Sequence, residues 1–206
     1  MTLINNLIMQ DFKNKISSIL NSQKQCIDNI LDSEQNSLEK ILKSLLNARN
    51  NNNRIFVMGN GGSGSTASHF VSDLLKTAIL KNENRFSAIS LVDNVPVLLA
   101  WSNDSSYNDI FVEQLKNHLS ENDIIIGFSG SGNSKNILDA FNYGKSNGAF
   151  CIGITGMDGG NLKNICDLCL IVPSNDMLTI ESMHLMICHC LISLIRDTGN
   201  PLFKYE

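Results

Sequence analysis

Five short apolar runs, each separated from the next by a stretch with helical spacing, constrain this chain more than any other feature. They are Ile55-Phe56-Val57-Met58, Ala88-Ile89-Ser90-Leu91, Ile124-Ile125-Ile126-Gly127-Phe128, Phe150-Cys151-Ile152-Gly153-Ile154 and Leu168-Cys169-Leu170-Ile171-Val172. A strand that is apolar on consecutive residues, rather than on alternate ones, buries both of its faces. The intervening stretches predict helices near 65–80, 107–118, 134–147 and 178–196. Such strands alternating with helices make a parallel sheet covered on both sides, a three-layer α/β sandwich. The 206-residue length suits one domain spanning 1–206, with its α/β core over 54–196.

Residues 1–50 follow a different rhythm. Leu3, Ile4, Leu7 and Ile8, then Ile16, Ile19 and Leu20, recur at three- and four-residue steps. Ile27, Ile30 and Leu31 continue the pattern, as do Leu38, Ile41, Leu42, Leu45 and Leu46. This predicts an N-terminal helical pair whose apolar stripes need partners, in each other and in another subunit. The run Asn50-Asn51-Asn52-Asn53 stops the second helix.

Composition excludes several classes. A net charge of −4, from 16 Lys+Arg against 20 Asp+Glu, offers no basic stripe for nucleic acid, so no nucleic-acid partner is expected. No run of about 18 apolar residues is visible, so no membrane span is expected. Met1-Thr2-Leu3-Ile4-Asn5-Asn6 lacks the basic and apolar blocks of a signal peptide, which gives the expectation of a cytoplasmic protein. The six cysteines then read as reduced thiols in strands and helices. Cys166-Asp167-Leu168-Cys169 has CxxC spacing without a second pair, which favours a core or strand-edge role over zinc or redox chemistry.

Two polar turns sit where parallel sheets hold ligands, beyond the carboxyl ends of strands. Gly59-Asn60-Gly61-Gly62-Ser63-Gly64-Ser65-Thr66 follows the first strand, and Ser129-Gly130-Ser131-Gly132-Asn133-Ser134 follows the third. Glycines let the backbone approach a ligand, while serine hydroxyls and free helix N–H groups donate to an anion. A phosphate fits this inventory. The first turn lacks the Gly-Lys-Ser/Thr ending of a P-loop and the spacing of a dinucleotide fingerprint, so no nucleotide cofactor is expected.

His69 and Asp73 are four residues apart and share a helix face. On the last predicted helix Glu181, His184 and His189 interrupt an apolar stretch. His184 reads as structural. Glu181 and His189, eight residues apart, stand about 12 Å from each other on a straight helix, so joining them at one ion requires a second chain or an irregular turn. His118 reads as surface, and Trp101 as a core aromatic before a polar turn, Ser102-Asn103-Asp104.

The blocks Gly59–Ser63, Ser129–Ser134 and Thr155-Gly156-Met157-Asp158-Gly159-Gly160 resemble the sugar isomerase (SIS) domain, and more narrowly its phosphoheptose isomerase branch, over about 54–196. The resemblance implies a flavodoxin-like fold and a homotetramer with active sites between subunits. It implies that Ser63, Ser129, Ser131 and Ser134 hold a sugar phosphate, with Gly61, Gly62 and Gly130 in the cradle and Asn60, Asp104 and Glu181 near the sugar. Asp73 stands at the position of the general base, and His189 at that of the partner acid–base. Some members bind Zn²⁺ at the positions of His69, Asp73, Glu181 and His189. An intersubunit site would draw Glu181 and His189 from different chains.

Three positions depart from the family pattern: Asp73 stands for glutamate, Glu181 for glutamine and Thr77 for arginine. They imply a different sugar phosphate, a stronger metal dependence, or both. The expected activity is isomerisation of sedoheptulose 7-phosphate to D-glycero-D-manno-heptose 7-phosphate through a cis-enediol, for lipopolysaccharide or capsule synthesis. The alternatives are a non-catalytic phosphosugar-binding or replication-initiator-associating SIS protein, and an isomerase of another sugar phosphate.

Overall fold

The computed structural model describes residues 2–204, with side chains from Gln10 onward. The stripe Leu3, Ile4, Leu7 and Ile8 therefore lies outside the described side chains. Helices α1 (Thr2–Ser33) and α2 (Gln35–Asn51) form the N-terminal pair. Asn52 ends α2 in the left-handed conformation, φ 57°, and its N–H returns to the carbonyls of Ala48 and Arg49. Asparagine tolerates that conformation better than most side chains, which is how the asparagine run stops the helix.

The five predicted strands are all present: β1 (Arg54–Gly59), β2 (Ser87–Ser90), β3 (Ile124–Ser129), β4 (Phe150–Gly156) and β5 (Leu168–Val172). They pair in parallel in the order β2-β1-β3-β4-β5, the flavodoxin-like order. Its topological switch point lies between β1 and β3, where Gly59 sits beside Phe128. Connections from these two strands diverge, leaving a crevice at their carboxyl ends.

Strand alternation divides the core. Ile55, Val57, Ile126, Phe128, Ile152, Ile154 and Leu170 face α1, α2, α3 (Gly61–Ser72) and α8 (Met177–Asp197). Phe56, Met58, Ile125 and Cys151 face α5 (Val112–His118), α6 (Lys135–Ser146) and the short α7 (Leu162–Ile165). Each fully buried Ile or Phe contributes about 1.5–3 kcal/mol relative to exposure, so both faces are held. Cys26, Cys151 and Cys188 are buried in these layers, Cys166 and Cys169 are half-buried, Cys190 is exposed, and all six thiols are free.

Several boundaries differ from the sequence expectation. The predicted helix at 65–80 begins earlier, at Gly61, so most of the glycine turn is itself helical. It then changes at Asp73 into a π-helical turn, Asp73–Thr77, closed by Ala78 N–H donating to the Asp73 carbonyl at 2.8 Å. The expected helix at 107–118 divides into a 3₁₀ turn, Tyr107–Asp109, and α5. Ser102-Asn103-Asp104 is no turn but the end of α4 (Val95–Asp104), a helix that sequence reasoning missed. Pro96 in its first turn and the Asn94 side chain accepting from Val97 N–H start it. Helix α8 is long and apolar enough by length and composition alone to cross a bilayer, although Thr179, Glu181, Ser182, His184 and His189 interrupt its apolar residues. It instead packs Ile180, Met183, Ile187, Leu191 and Ile195 into the core.

Candidate active site

The switch-point crevice opens into a cleft of about 720 Å³. Gly59, Asn60, Gly61 and Gly64 form its floor, and Ser65, Ser68, His69 and Ser72 of α3 one wall. Leu98, Leu99 and Ser102 of α4, with Tyr107, form the other. Strand β1 thus delivers the chain directly into a helix N-terminus at the cleft, and small residues on the first turns of α3 leave the space open.

The titratable residues converge at the far end of α3. His69 Nε2 lies 3.3 Å from Asp73 Oδ2 and 2.9 Å from His189 Nε2, and His189 Nε2 lies 3.7 Å from the same carboxylate oxygen. The two imidazoles meet edge to face, 5.0 Å between centroids. With ring nitrogens at hydrogen-bond distance, one donates a proton and the other accepts. Asp73 is only 17% exposed in its side chain, whereas the histidines are about half exposed, at 49% and 53%. Thr77 Oγ1 donates to Asp73 Oδ1 at 2.8 Å, which leaves Oδ2 facing the histidines. Thr77, noted in the sequence only as a departure, therefore orients the carboxylate.

A single chain supplies His69, Asp73 and His189, so no second chain is needed to bring these three together. Glu181 is not among them. Its carboxylate lies over Gly62, where an added Cβ would meet Oε2 at 2.4 Å. The acidic side chain thus occupies space that glycine leaves at the N-terminus of α3, a position favourable to negative charge.

Two imidazoles and one carboxylate are a common donor set for a catalytic zinc ion with an open coordination position. Tetrahedral ligands about 2.1 Å from an ion stand about 3.4 Å apart, close to the separations of 2.9, 3.3 and 3.7 Å here. The residues fit such an ion.

The second turn lies beside the first. Asn60 and Asn136 exchange amide hydrogen bonds of 3.0 and 2.8 Å, and the Tyr107 hydroxyl donates to Asn60 Oδ1 at 2.8 Å. Asn136, 2% exposed, and Tyr107 were not anticipated from the sequence; only their place in or before helices near the turns marked them. Ser63 and Ser129 are buried. Ser129 Oγ and Ser134 Oγ are 3.2 Å apart, and Ser131 Oγ accepts from Asn133 N–H. Gly130 is buried beneath Met177, whose sulfur would touch an added Cβ. Asp104 stands exposed at the end of α4, accepting from Asn103, and is not among the residues lining the cleft. His184 is buried, its Nε2 3.1 Å from the Thr155 carbonyl oxygen; burial pushes its imidazole down to about 4 despite that bond. It is a core residue, as the sequence suggested.

The SIS domain family pattern matches residues 20–156, which carry both turns and Asp73 but end before α8. Phosphoheptose isomerase of Helicobacter pylori is 38% identical over 151 residues, 73% of this chain and 78% of that protein. The protein of the same name from Aliarcobacter butzleri is 39% identical over 146 residues, covering 70% and 76%. Among solved structures, a phosphoheptose isomerase from Francisella tularensis superposes with a TM-score of 0.84 at 30% identity, over 89% of this chain and 97% of that one.

Proposed function

This chain belongs to the SIS domain family, and on that premise we propose that it is a phosphoheptose isomerase converting sedoheptulose 7-phosphate to D-glycero-D-manno-heptose 7-phosphate. The observation that carries the reading is the meeting of His69, Asp73 and His189 beside a cleft floored by a glycine-rich helix N-terminus. Phosphoheptose isomerase relatives at 38–39% identity support it.

Ketose–aldose exchange needs a proton removed from the carbon beside the carbonyl and returned at its neighbour. Asp73 acts as base through Oδ2, with Thr77 holding Oδ1. His189 returns the proton to the cis-enediol, and His69 sets the donor–acceptor polarity of the imidazole pair. The phosphate is held by Ser63, Ser129, Ser131 and Ser134, with Gly61, Gly62 and Gly130 admitting it to the backbone. Asn60, fixed by Asn136 and Tyr107, positions the sugar hydroxyls, with Glu181 and Asp104 nearby. Alternatively, His69, Asp73 and His189 would hold Zn²⁺ through these same atoms, and the ion would then supply polarisation of the substrate carbonyl in place of the imidazole proton. Glu181 joins this set only by leaving Gly62.

The assembly proposed is a homotetramer with clefts at subunit boundaries, acting in the cytoplasm on heptose for surface glycans. Phe12, Ile16, Ile19 and Leu20 support it: they follow one face of α1 at three- and four-residue steps and are all more than half exposed. Light scattering on the purified chain tests the tetramer. The activity is tested by proton exchange between solvent deuterium and sedoheptulose 7-phosphate, followed by NMR with and without added zinc. Exchange and a new heptose product are expected; no exchange under either condition overturns the reading.

A further inference from the structure

We propose that Cys166 and Cys169 form a reversible dithiol–disulfide pair at the junction of α7 and β5, a modification site separate from the sugar-phosphate cleft. Cys166 caps the end of α7 and Cys169 is the second residue of β5, an edge strand of the sheet. Gly153 of β4 is the strand neighbour of Cys169, and an added Cβ at Gly153 would come within 3.3 Å of Cys166 Sγ. The missing side chain on β4 therefore leaves open space beside both cysteines.

The backbone between them is pinned. Asp167 N–H donates to the Cys151 carbonyl at 2.9 Å, and Cys151 N–H donates to Asp167 Oδ2 at 2.9 Å. Lys145 Nζ lies 3.2 Å from Asp167 Oδ1 and donates to the Ile165 carbonyl at 2.8 Å. Neither cysteine has to be recruited from a distant segment, and both are half-buried rather than sealed.

The thiols are unequal. The proximity of the two thiols holds Cys166 below the usual thiol range and pushes Cys169 up. Thr155 Oγ1 lies 3.8 Å from Cys169 Sγ on the other side. A more acidic thiol beside a less acidic one is the arrangement of an attacking and a resolving cysteine. A third thiol on this face, Cys151, is buried, donates to the Phe141 and Ala149 carbonyls at 3.8 Å and is pushed up to about 12, so it stays protonated.

The oxidant is a low-molecular-weight disulfide. The Cys166 thiolate attacks one of its sulfurs, forming a mixed disulfide and expelling one thiolate. Cys169 then loses its proton, attacks the Cys166 sulfur and expels the second thiolate. Two protein thiols are oxidised to one disulfide, and one small disulfide is reduced to two thiols. The loop closed is only four residues long, so the bond adds little loop-closure stabilisation. It works as a redox couple rather than a staple.

The test equilibrates the full chain in a series of reduced and oxidised glutathione mixtures, quenches with acid, alkylates, and maps each cysteine by peptide mass spectrometry. Cys166 and Cys169 are expected to be lost together as one disulfide. Under limiting iodoacetamide in reductant, Cys166 is expected to label about tenfold faster than Cys169. Cys169→Ser traps glutathione on Cys166, whereas Cys166→Ser leaves Cys169 unmodified. Glutathione confined to the exposed Cys190, equal labelling of Cys166 and Cys169, or no adduct in a folded Cys169→Ser variant overturns the proposal. If a serine variant fails to fold, the labelling ratio and the mapped disulfide of the unaltered chain decide it.

Discussion

The two glycine- and serine-rich turns look alike in sequence and do different structural jobs. The first becomes the opening of α3, where an added Cβ at Gly61, φ +52°, meets nothing within 4 Å, although Gly59 lies against the Ser63 carbonyl and Gly62 against Glu181. The second is locked into its neighbours. Gly132, at φ +64°, would place a Cβ 2.0 Å from the Gly159 carbonyl oxygen, and Gly156 N–H donates to the Gly130 carbonyl at 3.1 Å. The same residue type keeps space empty at Gly61 and permits close backbone contact at Gly132, as it also does at Gly59. Glycine content therefore marks a site, but only neighbours tell which glycines face a ligand.

The largest expected effect separates chemistry from scaffold. Asp73→Asn, at the end of the helix that the first turn begins, should lower kcat about 10²–10⁴-fold while changing unfolding free energy by only about 1 kcal/mol. Ser129→Ala, in the second turn, should raise KM with a smaller change in kcat. Steady-state kinetics on both variants break the comparison if the two profiles coincide.

Matched glycine substitutions come next. Gly132→Ala combines left-handed strain with a backbone collision and should cost about 3 kcal/mol or more; Gly61→Ala carries the strain alone, about 1 kcal/mol. Urea denaturation of the pair measures the difference directly, and equal losses would remove the distinction between the turns.

Acid should act on the second turn's side of the fold. His184 holds the Thr155 carbonyl and is neutral when buried, with a folded value of about 4 against an ordinary 6.5. Below 6.5 the unfolded chain binds a proton that the folded chain refuses. Stability is thus fully present above 6.5 and falls as pH drops toward 4, by on the order of 2–3 kcal/mol. Denaturation midpoints across this range, compared with His184→Gln, should lose that slope in the variant. The smallest effect is expected where the turns touch: Asn136→Ala, which breaks the amide exchange with Asn60, should cost about 1–2 kcal/mol and raise KM.

Much of this architecture was legible before any coordinates. All five strands were readable because each is apolar on consecutive residues, a pattern fixed by burial on both faces. The N-terminal pair was readable from its stripes, and the asparagine stop from side-chain chemistry. Helix α4 was not, because Val95–Asp104 buries none of its residues and so carries no amphipathic period. The His69–Asp73 step was visible from helical spacing alone. That His189, rather than Glu181, completes the group was not, because it depends on how α8 crosses α3. Asn136 was invisible for a similar reason: its partner Asn60 is 76 residues away.

The π-helical turn at Asp73–Thr77 has a consequence for how this chain tolerates change. An α-helix advances about 100° per residue, and the wider turn absorbs one residue more than an α turn would, so it sets a phase difference between the helix before it and the segment after it. Trimming one residue from 74–76 would close the turn to α-helical form and place Thr77 three residues after Asp73 rather than four, changing the angle at which its hydroxyl reaches the carboxylate, while His69 upstream kept its aim. The spacing from the catalytic carboxylate to its hydroxyl support is therefore a matter of count as well as of identity. A length change there would detune the base without touching it.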